Sequence, residues 1–100
     1  MQYQCVRIYR FQPGSRRRVL SSIKASLVPS LMAEPGFVRY RFIVTADDRA
    51  VSESVWETDA AAASADVVEA AWVRADISSD LAGLPDLLIG SVELDTGQAL

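Results

Sequence analysis

Arginine side chains recur on the apolar segments of the first half of the chain, as Arg7, Arg39 and Arg41. A guanidinium group on a strand has two common uses. It pairs with a carboxylate of a neighbouring strand, for which Glu53 and Glu57 are available, or it points into a pocket and binds an anionic or enolate oxygen. The residue types therefore predict either ion pairs across a sheet or an anion-binding site.

Histidine is absent from the 100 residues, which limits the chemistry further. Without it, no unperturbed side chain titrates near neutral pH, and neither a Ser-His or Cys-His pair nor an imidazole metal ligand can form. The single cysteine, Cys5, cannot form an intrachain disulfide, and we expect it to be a buried strand residue. Most ordinary hydrolase and zinc mechanisms are thereby excluded.

The composition, half of it apolar, predicts one domain with one core. Residues 1–50 carry nine basic and three acidic side chains, whereas residues 51–100 carry one and ten, so we expect internal charge pairing and no nucleic-acid partner. No apolar run reaches the roughly 18 residues of a membrane span, and the N-terminus does not resemble a signal peptide. We therefore expect a cytoplasmic protein without a membrane partner.

The first strand determines where Arg7 and Tyr9 point. Residues 4–11 alternate between two faces, so Arg7 and Tyr9 share one face, whereas Val6 and Ile8 lie on the other.

A helix follows this strand. We expect the Ser15 hydroxyl to cap it, just before three arginines. Its apolar stripe recurs every three or four residues and consists of Val19, Leu20, Ile23, Leu27 and Leu31. Pro29 lies within the pattern and lacks an N–H group, which predicts a kink or a break, and Pro35-Gly36 ends the helix.

The middle of the chain predicts a hairpin of two alternating strands, residues 37–45 and 50–58, joined by a polar turn. The second of these strands places Ser52, Ser54 and Trp56 on one face.

Asp59 is the expected cap of a second helix, residues 60–75. Its predicted apolar stripe consists of Ala61, Ala65, Val68 and Trp72. A short helical turn and a last strand, residues 87–94, complete a domain that we place at residues 1–95. The tail, residues 96–100, has no pattern and is expected to be frayed or laid across a partner subunit.

The order β-α-β-β-α-β predicts an α+β fold of the ferredoxin-like, split βαβ kind, a four-stranded antiparallel sheet with two helices on one face. Because the strands carry apolar residues on both sides, the other face would expose an apolar patch of a kind that soluble monomers rarely have. Packing two such faces together buries the patch. We therefore expect a homodimer with the form of a dimeric α/β barrel, and we place Tyr40 at its interface.

Three motifs span most of this domain: FQPG at residues 11–14, AEPGFVRY at residues 33–40 and VWETDA at residues 55–60. In this order and spacing they resemble the antibiotic-biosynthesis monooxygenase family of the dimeric α/β-barrel superfamily. The resemblance implies a homodimeric barrel that, in several members, oxygenates aromatic or quinol-like substrates without a metal or a bound flavin. We accordingly expect no cofactor and no metal.

The resemblance also implies candidate site residues. In the family, the tryptophan that matches Trp56 commonly lines a pocket between the sheet and the helices. A histidine often follows on the second helix, where this chain has Ala65 or Asp66, and Arg7 replaces an asparagine of the first strand; a haem-degrading activity, known in related branches, would lack its axial histidine. The resemblance thus makes Trp56, Arg7, Tyr9 and Asp66 the candidate catalytic residues.

Each candidate also has a structural explanation. Trp56 and Trp72 fit core packing, Asp66 fits an exposed helix carboxylate, and the strand arginines fit pairs across the sheet. On the functional interpretation, the substrate-binding residues are Trp72, Arg39, Arg41 and Ser54. They would surround a small hydrophobic or aromatic molecule.

Three functions are compatible with this sequence. The first is a cofactor-independent monooxygenase of an aromatic or polyketide-type small molecule, with Trp56 as a platform and Arg7 as the group that stabilises an oxyanion. The second is a non-catalytic dimeric protein that binds a small ligand, or a stress-related protein with the same barrel. The third is an isomerase or cyclase on the same fold.

Overall fold

Four strands form one antiparallel sheet in the computed structural model, which describes residues 1–97. The strand order is β2-β3-β1-β4. The strands are β1 (Tyr3–Arg10), β2 (Phe37–Ala46), β3 (Arg49–Trp56) and β4 (Asp86–Ser91). With two helical segments on one side, this is the predicted ferredoxin-like α+β fold.

The helical segments are each built from consecutive pieces. The first consists of α1 (Arg16–Ser22), a π-helical turn (Ile23–Leu27) and α2 (Val28–Met32). The second consists of α3 (Asp59–Trp72), a π-helical turn (Val73–Ile77) and a 3-10 turn (Ser78–Asp80). Of the predicted kink or break at Pro29, the break is wrong: the helix continues through α2, and the π-helical turn directly before the proline accommodates its ring and its missing N–H group.

Both predicted helix caps are corrected by the structure. Ser15 precedes α1 but has helical backbone angles, and its hydroxyl makes no cap hydrogen bond. The cap of α3 is Thr58 rather than Asp59, because the extended backbone of Thr58 lets its Oγ1 accept a hydrogen bond from the Ala61 N–H at 3.1 Å. Asp59 instead lies in the first helical turn, where a carboxylate is favoured by the helix dipole.

The glycine of the AEPG motif is required by packing. Gly36 has a φ of +84°, and a Cβ at this position would lie 2.9 Å from the Cβ of Ala61. The same link is tied to β3 by a hydrogen bond from the Glu57 N–H to the Gly36 carbonyl oxygen at 2.9 Å. This motif therefore fixes how closely α3 approaches the sheet.

Strand register determines which side chains face the helices. One cross-strand row on that side contains Phe42, Ser52, Arg7 and Leu87, and the next contains Tyr40, Ser54, Cys5 and Ile89. The placement of Tyr40 at the interface on the open face is therefore wrong: its hydroxyl lies 2.9 Å from Ser52 Oγ, beneath the helices. A bulge between Phe37 and Arg39 shifts the register of β2 and so determines that Tyr40 lies on the helix-facing side of the sheet.

The core lies between the sheet and the helices. Its largest fully buried side chains include Tyr9, Trp56, Ile23, Leu27, Leu31 and Ile77. The stripe of the first helix is as predicted except for Leu20, which is half-buried. The stripe of α3 is Ala62, Ala65, Glu69 and Trp72, so two of the four predicted positions are wrong by one residue.

The opposite face of the sheet carries exposed apolar side chains, including Ile43 and Leu88. The last strand ends at Ser91, earlier than expected, and the final three residues of the predicted tail lie outside the described residues. Within residues 1–97, no helix is long and apolar enough to cross a membrane.

Candidate functional site

Arg7 lies in the middle of β1, beneath α3, with Ser52 of β3 and Leu87 of β4 as its neighbours in the sheet. Its side chain is only 8% exposed. The helix supplies two carboxylates: Asp66 Oδ1 lies 2.5 Å from Arg7 Nη2, and Glu69 Oε1 lies 3.7 Å from Arg7 Nη1. A buried guanidinium needs such partners, because an unpaired charge in the protein interior is very costly.

Glu69 connects Arg7 to further polar groups. Its Oε2 accepts hydrogen bonds from the Tyr9 hydroxyl at 2.5 Å and from Ser52 Oγ at 3.0 Å. We call Arg7, Asp66, Glu69, Tyr9 and Ser52 the Arg7 cluster. It lies between β1, β3 and α3, and strand alternation correctly predicted that Arg7 and Tyr9 share a face.

Sequence reasoning missed Glu69. One signal was available: Glu69 continues the spacing of Ala62 and Ala65 and precedes Trp72 by three residues, so it occupies a position of the buried helix face. A carboxylate at such a position is a strong indication of a buried polar network.

The cluster determines the protonation of its phenols. Burial, followed by the charge of Glu69, raises the pKa of Tyr9 far above its ordinary 10.0, and the same two causes raise the pKa of Tyr40. Burial alone would lower the pKa of Arg7, but the charges of Glu69 and Asp66 raise it. Tyr9 is therefore a hydrogen-bond donor and Arg7 a permanent cation.

A cavity of about 310 Å³ opens beside Arg7, between the end of α3 and the loop before β4. Its lining residues are Arg7, Ala70, Val73, Arg74, Leu84 and Pro85. Arg7 Nη1 is buried and has no hydrogen-bond partner. We call this cavity the Arg7 cleft. A guanidinium group in the wall of a mostly apolar cavity is suited to binding an oxyanion of a small aromatic molecule.

Trp56 does not line the Arg7 cleft, contrary to the expectation that both residues face one pocket. It is fully buried, its ring packs edge-on against Phe37 at 5.4 Å, and its Nε1 donates to Ser54 Oγ at 2.8 Å. The register pairs Trp56 with Tyr3, four residues along β1 from Arg7, or about 13 Å at the usual strand rise. Ser54 likewise lies in the core as the acceptor of this bond.

Trp72 is buried against the edge of Tyr9, with ring centroids 6.5 Å apart, and its Nε1 donates to Ser22 Oγ at 3.0 Å. The structural explanation of the strand arginines is confirmed for Arg41, which pairs with Glu53 at 3.2 Å. Arg39 and Arg41 both lie on the sheet face away from the helices. They cannot surround a molecule in the Arg7 cleft, so their expected position in that pocket is corrected.

A second ion-pair cluster joins the two helical segments. Arg18 donates from Nε to both Asp80 carboxylate oxygens at 3.1 and 3.0 Å, and from Nη2 to Asp80 Oδ2 at 2.5 Å. Its Nη2 also donates to the Asp76 carbonyl oxygen. These hydrogen bonds lower the pKa of Asp80 below its ordinary 3.8. We call these three residues the Arg18 cluster.

A cavity of about 400 Å³, larger than the Arg7 cleft, lies near Gly36 at the opposite end of α3, where the helix begins. Its charged lining residues are Glu34 and Glu57, and neither is buried. Nothing in residues 1–97 groups three or more cysteine or carboxylate side chains as a metal site. The Arg7 cleft is therefore the candidate site, because it alone of these cavities borders a buried charged network.

Comparison with solved structures agrees with the fold. A Nitrosomonas europaea protein named as an antibiotic biosynthesis monooxygenase superposes with a TM-score of 0.79 at 18% identity, over 96% of this chain and 94% of that one. The Streptomyces coelicolor monooxygenase ActVA-Orf6, in complex with nanaomycin D, gives 0.76 at 17%, over 93% and 88%. SnoaB, a cofactor-independent oxygenase of Streptomyces nogalater, gives 0.76 at 15%, over 97% and 98%.

No protein-family model and no curated protein sequence matches the chain. The resemblance expected from the three motifs is confirmed through structure: several solved structures that share this fold are named antibiotic biosynthesis monooxygenases. At these low identities the likeness concerns the fold, and the chemistry must be argued from the residues.

Proposed function

We propose that this protein is a cofactor-independent monooxygenase of an enolisable aromatic or polyketide-type small molecule, with the Arg7 cleft as its site. The observation that carries the proposal is the buried guanidinium of Arg7, which borders the cleft and has an Nη1 without a hydrogen-bond partner. Such a donor is held ready for an oxygen that becomes negatively charged during a reaction.

Arg7 binds the substrate's phenolate or enolate oxygen, and Asp66, which contacts Arg7 but does not itself line the cleft, accepts the proton from carbon through one water molecule. Asp66 contacts Arg7, and its side chain retains 29% exposure. It precedes Ala70 of the cleft lining by one helical turn, so both residues lie on the same side of α3. A carboxylate held in place beside the reacting group can serve as a general base.

The reaction balances without a cofactor. Proton transfer from a CH₂ group of the substrate leaves a carbanion, which gives one electron to O₂ and produces a substrate radical and superoxide. Their recombination forms a C–O bond, and the peroxide takes up the proton. Cleavage of the O–O bond and of the remaining C–H bond then releases water, so that CH₂ and O₂ yield C=O and H₂O.

The other candidate residues support Arg7 in this proposal. Glu69 holds the guanidinium and accepts from Tyr9 and Ser52, so these three are positioning residues. Trp72 packs against Tyr9 and fixes its ring. Trp56 would act on the rate only through packing, since it has no exposed surface.

The comparisons favour polycyclic quinone-type compounds as probes. One protein of the same fold is described as a cofactor-independent oxygenase, and another is described in complex with nanaomycin D. The proposal extends that class of ligand to the Arg7 cleft.

We further propose that the protein works as a cytoplasmic homodimer. The outward face of the sheet carries the exposed side chains of Ile43 and Leu88 beside the half-buried Val6, Ile8 and Val51. A second copy would cover them, because apolar patches of this kind are rarely left in contact with water. Light scattering should give twice the chain mass of 10.9 kDa; a monomer at micromolar concentration would contradict this.

Oxygen uptake with an anthrone or a reduced naphthoquinone tests the activity. We expect uptake above the uncatalysed blank and a loss of about 100-fold in Arg7→Gln, the usual effect of removing an oxyanion donor. Asp66→Asn, at a partly exposed position, should lose activity while remaining folded. Arg39→Gln, on the opposite sheet face, is the matched control.

Absence of uptake above the blank with all substrates would overturn the monooxygenase proposal. If the same compounds still bind, the protein is a non-catalytic ligand-binding module. If they are converted without oxygen uptake, an isomerase or cyclase replaces the oxygenase. Trp56→Phe should change the rate little, and a large loss would show that Trp56 contacts the substrate.

A further inference from the structure

We infer that the ligand of the Arg7 cleft carries a carboxylate in addition to its enolisable oxygen, and that Arg74 binds this carboxylate at the mouth of the cleft. This inference rests on the proposed function, since it assigns the oxygen of the aromatic system to Arg7. It makes Arg74 a specificity-determining residue.

Arg74 is the single basic residue of residues 51–100, which contain ten acidic residues. It is nevertheless exposed and has no ion pair with any described residue of the chain. The acidic residues nearest to it in the sequence have other partners: Asp76 accepts from Ser22 Oγ, and Glu69 accepts from Tyr9 and Ser52. A lone cation in an acidic half of the chain is thus left at the cleft.

The cleft lining favours an anionic aromatic molecule. Arg7 and Arg74 supply its positive charge, its other lining side chains are apolar, and no carboxylate lines it. The carboxylates of Asp66 and Glu69 offset the charge of Arg7. The uncompensated charge in the cleft is therefore that of Arg74.

The two guanidinium groups are separated along the helix. Asp66 and Glu69, which pair with Arg7, precede Arg74 by eight and five residues, so the separation along a helix axis is about 8 to 12 Å. Two or three fused rings with an oxygen at one end and a carboxylate at the other span such a distance. Between them, Ala70 and Val73 offer an apolar wall for the ring system.

Binding of stable analogues tests the inference without any turnover. The probes are a dihydroxyanthraquinone and its carboxylic acid derivative, followed by quenching of tryptophan fluorescence. The wild-type protein should bind the acid about three- to tenfold more tightly than the neutral compound, the range expected for one partly exposed Arg–carboxylate contact. Arg74→Gln should bind both equally, and Arg74→Lys should retain part of the preference.

Arg17→Gln is the matched control, because Arg17 is an exposed arginine of α1 that does not line the cleft; it should retain the full preference. Equal binding of the two probes by the wild-type protein, or a preference that survives in Arg74→Gln, would overturn the inference. A carboxylate preference that depends on Arg74, without oxygen uptake, would keep this inference and remove the monooxygenase. Oxygen uptake without a preference for the carboxylic acid would keep the monooxygenase proposal and remove this inference.

Discussion

The Arg7 and Arg18 clusters contain the same kinds of residue in different surroundings. Arg18 joins the two helical segments at the surface, where its side chain is 57% exposed and its hydrogen bonds are directed at Asp80 and the backbone. Arg7 is buried beneath α3, and its Nη1 has no hydrogen-bond partner. Arg18 is open to solvent, whereas the buried Arg7 has two carboxylate partners but an Nη1 without an acceptor within hydrogen-bond distance.

The comparison shows where a guanidinium holds the fold together and where it is available to a ligand. A surface ion pair adds little stability, because solvent screens it and water satisfies its remaining N–H groups. A buried cation with an unused donor is costly, and it persists where the surrounding residues fix it in place. The Arg7 cluster is therefore the region to test for function, and the Arg18 cluster is its internal control.

Arg7→Met should produce the largest loss of stability. It leaves the buried Glu69 without its cation, and we expect the free energy of unfolding to fall by about 3 kcal/mol. Urea unfolding measures this, with Arg18→Met as the comparison, for which a smaller loss is expected. Adding Glu69→Met to Arg7→Met should restore part of the stability. An Arg7→Met loss no greater than that of Arg18→Met would contradict the distinction between the clusters.

The second-largest expected effect is a loss of stability at alkaline pH, which comes from the phenols around Glu69. The folded chain keeps its protons on Tyr9 and Tyr40 above pH 10.0, whereas the unfolded chain releases them. Because the folded state binds more protons, this stability is fully present below pH 10.0 and falls as the pH rises further.

Tyr9→Phe should reduce that pH slope by about 1.4 kcal/mol per pH unit, the contribution of one proton. The near-ultraviolet phenolate absorbance of Tyr9 and Tyr40 should appear only on unfolding. A phenolate signal from either residue near pH 10 in the folded chain would show that the network around Glu69 is open to solvent.

Acid pH should cause the smallest change in the free energy of unfolding, and this change should come from the Arg18 cluster. The pKa of Asp80 is lowered, so the folded state binds fewer protons, and the stability from this pair is fully present above pH 3.8 and lost as the pH falls below it. Asp80→Asn should flatten the acid side of the stability profile, whereas Asp48→Asn, at an exposed position without an ion pair to a described residue, should not. An unchanged profile in Asp80→Asn would mean that Arg18 does not stabilise the ionised carboxylate.

The residues that sequence reasoning placed correctly are those on strands with strict alternation. Period two puts Arg7 and Tyr9 on one face. The residue types predicted pairing of the strand arginines with Glu53 or Glu57 as one of two alternatives, and Arg41 pairs with Glu53. Period two does not say which face the helices cover when both faces carry apolar residues. For that reason Tyr40 was assigned to the wrong side of the sheet.

The buried face of α3 was harder to predict from the sequence. Residues 60–63 are all alanine, so the beginning of α3 does not reveal the phase of its buried face. A shift of one residue replaces Val68 by Glu69 and hides the central carboxylate of the site. The motif around Trp56, like the Gly36 motif, fixes packing near the start of α3 in this chain, and a catalytic role of Trp56 stays a prediction.

A structure with a bound dihydroxyanthraquinone would show whether the Arg7 cleft is the binding site. We expect the ligand in the Arg7 cleft, with a ring oxygen about 3 Å from Arg7 Nη1, the ordinary length of an N–H···O hydrogen bond. A ligand bound in the cavity beside Gly36, or one that leaves Arg7 Nη1 without a partner, would contradict this expectation.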